Sequence, residues 1–303
     1  MTEPAELGPV AAIDRLRAAF RGPDGNRTLH AKGRFYAGTF TATPEAAELG
    51  RAGHLAGEPV PVLVRWSNAG GNADVPDRAP DIRGMAVRFR LPDGTETDLL
   101  GQTSRRFPTD SPQEFVAMTE ASRRPALLPL FMLRHPRMVG AMLDGLRSKA
   151  VASHTSFAQP TYYPIHAYGW RDADDRLSWV RYSFVPRSAA PPVRTFEGPD
   201  RLFEEMAARL TGGPVRFDVR LQVAGTGDDP HRATSVWRHA RELSGGTIEV
   251  AEELPEAESA GTPVVFDPTR VVDGIELSDD PILHYRPSAY SESVSRRTSA
   301  EGP

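Results

Sequence analysis

Short segments of aromatic and β-branched residues, cut apart by glycine, proline and aspartate, dominate this chain and restrict it to a largely antiparallel design. Residues 33–43, 60–66, 84–90 and 96–100 read as consecutive strands, with Pro92, Asp93 and Gly94 forming a hairpin turn between the last two. Strands return at 162–170, 177–186 and 215–223. They do not alternate one for one with helices, which argues for an α+β class and against a doubly wound parallel sheet. Helices are predicted at 9–20, where Val10, Ile13, Leu16 and Phe20 recur at helical spacing, and at 112–118, 126–133, 136–146, 200–210, 230–239 and 279–296. Residues 252–263 read as an acidic, exposed connector, and 298–303 as a frayed tail.

A chain of 303 residues makes one large domain or two smaller ones, and buries roughly 75% of its unfolded surface, enough to enclose a cofactor cavity. The absence of cysteine removes thiol nucleophiles, iron–sulfur clusters, thiolate-ligated haem and cysteine zinc sites. No stretch approaches the roughly 18 apolar residues of a membrane span, and the acidic Glu3 and Glu6 do not suit a leader. A cytoplasmic location is therefore expected. The arginines are dispersed among acids at a net charge of -4, so no nucleic-acid footprint is visible. The short motifs for dinucleotides, nucleotide triphosphates, zinc proteolysis and serine hydrolysis are missing. A lone histidine is ordinarily structural, so spacing alone leaves the function open.

Three separated stretches carry a more specific signal. Arg27-Thr28-Leu29-His30-Ala31-Lys32-Gly33 sets a His three residues after an Arg and just before Ala-Lys-Gly. Arg65-Trp66-Ser67 is followed by Asp81-Ile82-Arg83-Gly84-Met85-Ala86-Val87. Asp267-Pro268-Thr269-Arg270 leads through Gly274-Ile275-Glu276 to Arg286-Pro287-Ser288-Ala289-Tyr290. In this order they resemble the distal haem strand, the strands after it and the proximal ligand helix of the catalase family. The resemblance runs from about residue 27 to 297 and is weak between 123 and 266. It is similar in particular to the small catalase-related haem peroxidases, because no match is found to the helical domain that follows the ligand helix in full-size catalases.

The resemblance implies a closed antiparallel β-barrel with inserted and C-terminal helices, a short arm over 1–26, one haem domain over 27–297, and haem b between barrel and helices. Tyr290 would be the anionic iron ligand, assisted by the cation of Arg286 one turn earlier. Without the family, an Arg and a Tyr at i, i+4 are usually surface packing. His30 would act as general base and then acid, moving a proton from one peroxide oxygen to the other so that the O–O bond breaks with water as leaving group. Its alternative is a core histidine at a strand start. Ser67 matches the hydroxyl that orients this His, or is a strand serine bonded to backbone. Arg27, Arg65 and Arg297 match positions that grip haem propionates. Phe115 matches a ring stacked on the haem, although each of these four alone is an ordinary surface or core residue.

Departures from the pattern shape the expected activity. The distal Asn of full catalases is replaced by Gln102, or by Thr103 if the alignment slips by one, and a small misplacement there costs about 100-fold in rate. Ala69 stands where catalases narrow their channel with Val. Ser183 replaces the His that supports the proximal Arg, and Val294 the His one turn after the ligand. The expectation is a peroxidase that reduces hydrogen peroxide or organic hydroperoxides, oxidises small organic donors and releases little or no oxygen, as a homodimer or monomer. The alternatives are a true catalase, a fatty-acid hydroperoxide isomerase or lyase, and a non-catalytic barrel that binds haem or an apolar ligand.

Overall fold

The computed structural model describes residues 7–300 except 24, 125, 127, 189–190 and 256–262. Ten strands form its sheet: β1 (Gly33–Ala42), β2 (Val60–Asn68), β3 (Arg83–Arg90), β4 (Glu96–Gln102), β5 (Tyr163–Pro164), β6 (Tyr168–Arg171), β7 (Leu177–Pro186), β8 (Val215–Val223), β9 (Arg241–Glu253) and β10 (Ile275–Leu277). Their order is β10-β6-β7-β8-β9-β1-β2-β3-β4-β5, and every pairing is antiparallel. Around it lie α1 (Pro9–Phe20), α2 (Pro44–Leu49), α3 (Pro112–Ser122), α4 (Leu128–Arg134), α5 (Pro136–Arg147), α6 (Arg201–Leu210) and α7 (Pro281–Ala300).

The expected closed barrel is corrected to a curled, open sheet. β5 is two residues long, and Pro164 has no N–H to give to a further ladder. Next to it, Tyr162 meets Phe184 of β7 in one isolated bridge, with N···O distances of 3.0 and 2.8 Å. The curl thus brings β5 back to β7 through a single residue pair. Inside it, side chains of one face of every strand but β5 pack together, among them Tyr36, Trp66, Phe89, Phe184, Phe217 and Ile248.

Four further readings are corrected. Residues 230–239 are turns, because the carboxylate of Asp228 accepts the backbone N–H of Gly225, Arg238 and His239, and Asp229 accepts that of His231. Such local bonds compete with a helix. Between 241 and 253, where no strand was expected, β9 pairs with both β1 and β8. The pair Gly245-Gly246 masks its alternation, yet a Cβ on Gly246, at φ 146°, would lie 2.4 Å from the Thr41 carbonyl oxygen. The connector expected from 252 starts inside β9, and its residues 256–262 lie outside the described part, as do 301–303 of the expected tail. α7 runs on through 298–300, so no tail begins at 298.

Candidate active site

The sheet face opposite the core builds the floor of a cavity. Gly33, Ser67, Gly84 and Gln102 are register partners across β1 to β4, and the neighbouring row is Phe35, Arg65, Ala86 and Leu100. Above the floor lies a cavity of about 420 Å³, walled otherwise mainly by α1, α3 and α7. Its size falls in the range of small-molecule sites.

Glycine keeps this floor clear. A Cβ on Gly84 would come within 2.8 Å of two His30 ring atoms and of Ser67 Oγ. The imidazole reaches its depth only because residue 84 has no side chain. His30 precedes β1 at φ 55°, the left-handed region that few side-chain-bearing residues adopt. Its N–H donates to the Ala69 carbonyl at 3.0 Å, and its own carbonyl accepts from Arg65 Nη1 at 3.0 Å. Nδ1 stands 2.9 Å from Ser67 Oγ, in hydrogen-bond contact. Burial, and then the positive charges of Arg65, Arg286 and Arg27, pull the His30 pKa down to about 3, which keeps the ring neutral at pH 7. With Nδ1 engaged by a hydroxyl, Nε2 is left for a molecule in the cavity.

α7 supplies a wall by helical periodicity. Ile282, Arg286, Ala289, Tyr290, Val294 and Arg297 recur every one, three or four positions along one face and line the cavity. Arg286 Nη1 donates to Tyr290 Oη at 2.8 Å. Burial opposes the Arg286 charge, but Tyr290, Tyr168 and Asp280 outweigh it and raise the guanidinium pKa.

The other expected residues are sorted by their contacts. Arg27, Arg65, Ser67, Gln102, Phe115 and Arg297 all line the same cavity. Arg27 donates to the Val264 carbonyl at 3.0 Å, while Arg65 also donates to that of Ala31 at 3.3 Å. Phe115 stacks on Phe107 at 5.0 Å. Thr103 accepts the Arg83 N–H and donates to the Ala150 carbonyl, and it is not among the lining residues. Gln102 therefore holds the cavity position left open between the two. Ala69 and Val294 also face the cavity, whereas Ser183 does not.

A pair that sequence reasoning missed stands near Arg286. His166 Nδ1 and Asp280 Oδ2 are 2.8 Å apart, and both residues are buried. Burial holds His166 down to about 4 despite its bond to Asp280, so the neutral ring donates from Nδ1 and leaves Nε2 as a buried acceptor. Nothing in the spacing of His166 from Arg286 marks it in the sequence.

A family model described as Catalase matches residues 7–198. The chain belongs to the catalase family. It is 43% identical over 303 residues to the catalase-related peroxidase of Mycolicibacterium paratuberculosis, covering 97% of this chain and 96% of that protein. The catalase-related peroxidase of Synechococcus elongatus is 28% identical, over 96% of this chain and 88% of its own. A solved bacterial catalase superposes with a TM-score of 0.79 at 22% identity, covering 99% of this chain and 63% of that one, which shows the shared fold. As a catalase-family protein this chain is an oxidoreductase. The family's haem fits the chemistry of the cavity. Among the described residues no three His, Cys, Asp or Glu converge. An iron here would need an equatorial ligand of its own, and the tyrosine and histidine oxygen and nitrogen atoms, the arginines and the apolar walls suit a porphyrin.

Proposed function

We propose that this chain is a haem b peroxidase that reduces hydrogen peroxide or organic hydroperoxides and oxidises small organic donors, with weak or no oxygen release. The observation that carries the reading is one cavity lined by both a His30–Ser67 pair and an Arg286–Tyr290 pair. Haem, when bound, supplies the two electrons that split the peroxide and takes two back from the donor. Tyr290 is the candidate ligand, and the hydrogen bond from Arg286 fixes the position of its oxygen. Arg27, Arg65 and Arg297 bind the propionates, and Phe115 packs on the ring. His30 accepts a proton from one peroxide oxygen through Nε2 and returns it to the other, held in register by Ser67. No helix among the described residues is long and apolar enough to cross a membrane, and we read the protein as a cytoplasmic homodimer or monomer whose working unit is residues 27–297.

Weak oxygen release follows from two side chains. Gln102 places its amide differently from an Asn on the same strand, and Ala69 leaves the cavity wider than a Val would. A second hydrogen peroxide is then held loosely, while a larger organic donor or hydroperoxide enters. With a phenolic donor present, donor oxidation is expected to outrun oxygen release by at least tenfold, read with an oxygen electrode beside an absorbance assay. Rapid oxygen evolution with hydrogen peroxide alone would overturn the assignment. Rearranged products from a fatty-acid hydroperoxide without any donor would favour an isomerase or lyase instead.

A further inference from the structure

The segment from Arg123 to Val151 is the least finished part of the surface. It leaves the cavity wall at Arg123, forms α4 and α5, and rejoins the wall at Val151. α4 buries none of its residues. Leu130 and Leu133 stand exposed on α4, Val139, Leu143 and Leu146 on α5, and Val151 beyond it. Leu133 and Leu146 are 79% and 72% accessible, and the signal is the number of such side chains in one short segment rather than any single leucine. The spacing of 139, 143 and 146 sets the three on one face of α5.

The charge of the segment is as lopsided as its hydrophobicity. Between 123 and 149 it carries Arg123, Arg124, Arg134, Arg137, Arg147 and Lys149 against the single acid Asp144, in a protein of net charge -4. Asp144 is taken up by Arg106 at 3.7 Å. Arg134, Arg147 and Lys149 are exposed, and none has an ion-pair partner among the described residues. Two-fold pairing of this face with its own copy would set these cations against each other. An anionic surface with an apolar interior satisfies both features, the cations at the headgroups and the leucines below them.

We propose that the α4–α5 segment is a peripheral docking element for anionic lipid bilayers. Because the segment begins and ends at the cavity wall, docking sets the cavity beside the bilayer. Apolar hydroperoxides formed in the lipid then have the shortest route in, a consequence that rests on the peroxidase reading above.

Co-sedimentation of the full-length protein with vesicles tests the docking without any turnover. Equimolar phosphatidylcholine and phosphatidylglycerol vesicles are expected to bind the protein at least tenfold more than pure phosphatidylcholine, with the difference lost in high salt. Reversing Arg134, Arg147 and Lys149 together to Glu should lower that binding on the order of 100-fold. Leu133→Ser with Leu146→Ser should lower it about tenfold or more. All these side chains are exposed, and an unchanged thermal melt confirms that the variants fold. No binding to the anionic vesicles, or equal binding to both kinds, overturns the proposal. So does a dimer in sizing experiments that the two Leu→Ser changes dissociate, since the face would then belong to self-association. Vesicle binding without peroxide turnover would instead refute the enzymatic reading and leave the docking intact.

Discussion

Replacing His30 with alanine is expected to lower peroxide turnover by about 10²–10⁴-fold while haem binding persists. The imidazole lines the cavity from the sheet side, and three separate contacts fix it. Ala69 and Arg65 hold its backbone in the left-handed region, Ser67 holds Nδ1, and Gly84 leaves the space it fills. A residue kept in an uncommon backbone conformation by so many partners is a placed one. The pH profile separates a base from a core histidine. Burial lowers the His30 pKa to about 3, so the neutral, proton-accepting form persists well below the ordinary 6.5. Turnover should stay flat through pH 6.5 and fall only as pH approaches about 3. The same shift favours unfolding over that interval, because the unfolded chain takes up the proton and the folded chain does not. The rate is therefore best read by pH jump. Turnover within severalfold of the wild type in His30→Ala would make His30 a structural residue.

The second large effect concerns stability. Asp98 on β4 is fully buried and accepts from Arg88 Nε at 2.9 Å, Arg270 Nη1 at 2.6 Å and the Asp267 N–H at 2.8 Å. Arg88 and Arg270 also donate to the Val265 carbonyl. One carboxylate thereby ties the sheet to residues 265–270, of which Val265 and Phe266 line the cavity. Burial pushes the Asp98 pKa up, and its arginine partners only partly offset this, so the ionised form depends on them. Asp98→Ala leaves the buried Arg88 with only the half-exposed Glu96 as a carboxylate partner, at 3.3 Å, and should cost about 3 kcal/mol. In a chain of this size that lowers the melting temperature by several degrees. Asp98→Asn, which keeps the shape and some of the bonds, should recover part of the loss. A melt of Asp98→Ala unchanged from the wild type would show that the network carries no net stability.

Most of the strands were legible because each packs one face against the interior, and alternation of burial prints itself on the sequence. β9 escaped because the glycines that let it pass close to Phe40 and Thr41 erase that alternation at its middle. The turns at 230–239 were misread because helix-like spacing there is overruled by carboxylates bonding to nearby N–H groups, which periodicity does not register. Closure of the barrel was implied by resemblance and depends on how many residues pair at one seam, here a single bridge beside a two-residue strand.

The site was legible where one local stretch holds several of its groups. Arg27 to Gly33 and Arg286 to Tyr290 each carry their chemistry within one turn or strand entry. The choice between Gln102 and Thr103 was not legible, because adjacent strand residues point to opposite faces and a shift of one reverses them. His166 was invisible for another reason. It meets Asp280 across 114 positions, a contact made only by folding. Gly84 is the intermediate case, since the sequence places it at the start of a strand and only the structure shows the clearance it gives the imidazole.

The most direct test of the account is the absorption spectrum of the haem-supplemented protein recorded beside Tyr290→Phe. The account predicts a high-spin ferric Soret band in the wild type that is lost or displaced in the variant, with both proteins folded. A folded wild type that takes up no haem, or a Tyr290→Phe spectrum superimposable on the wild type, would contradict it.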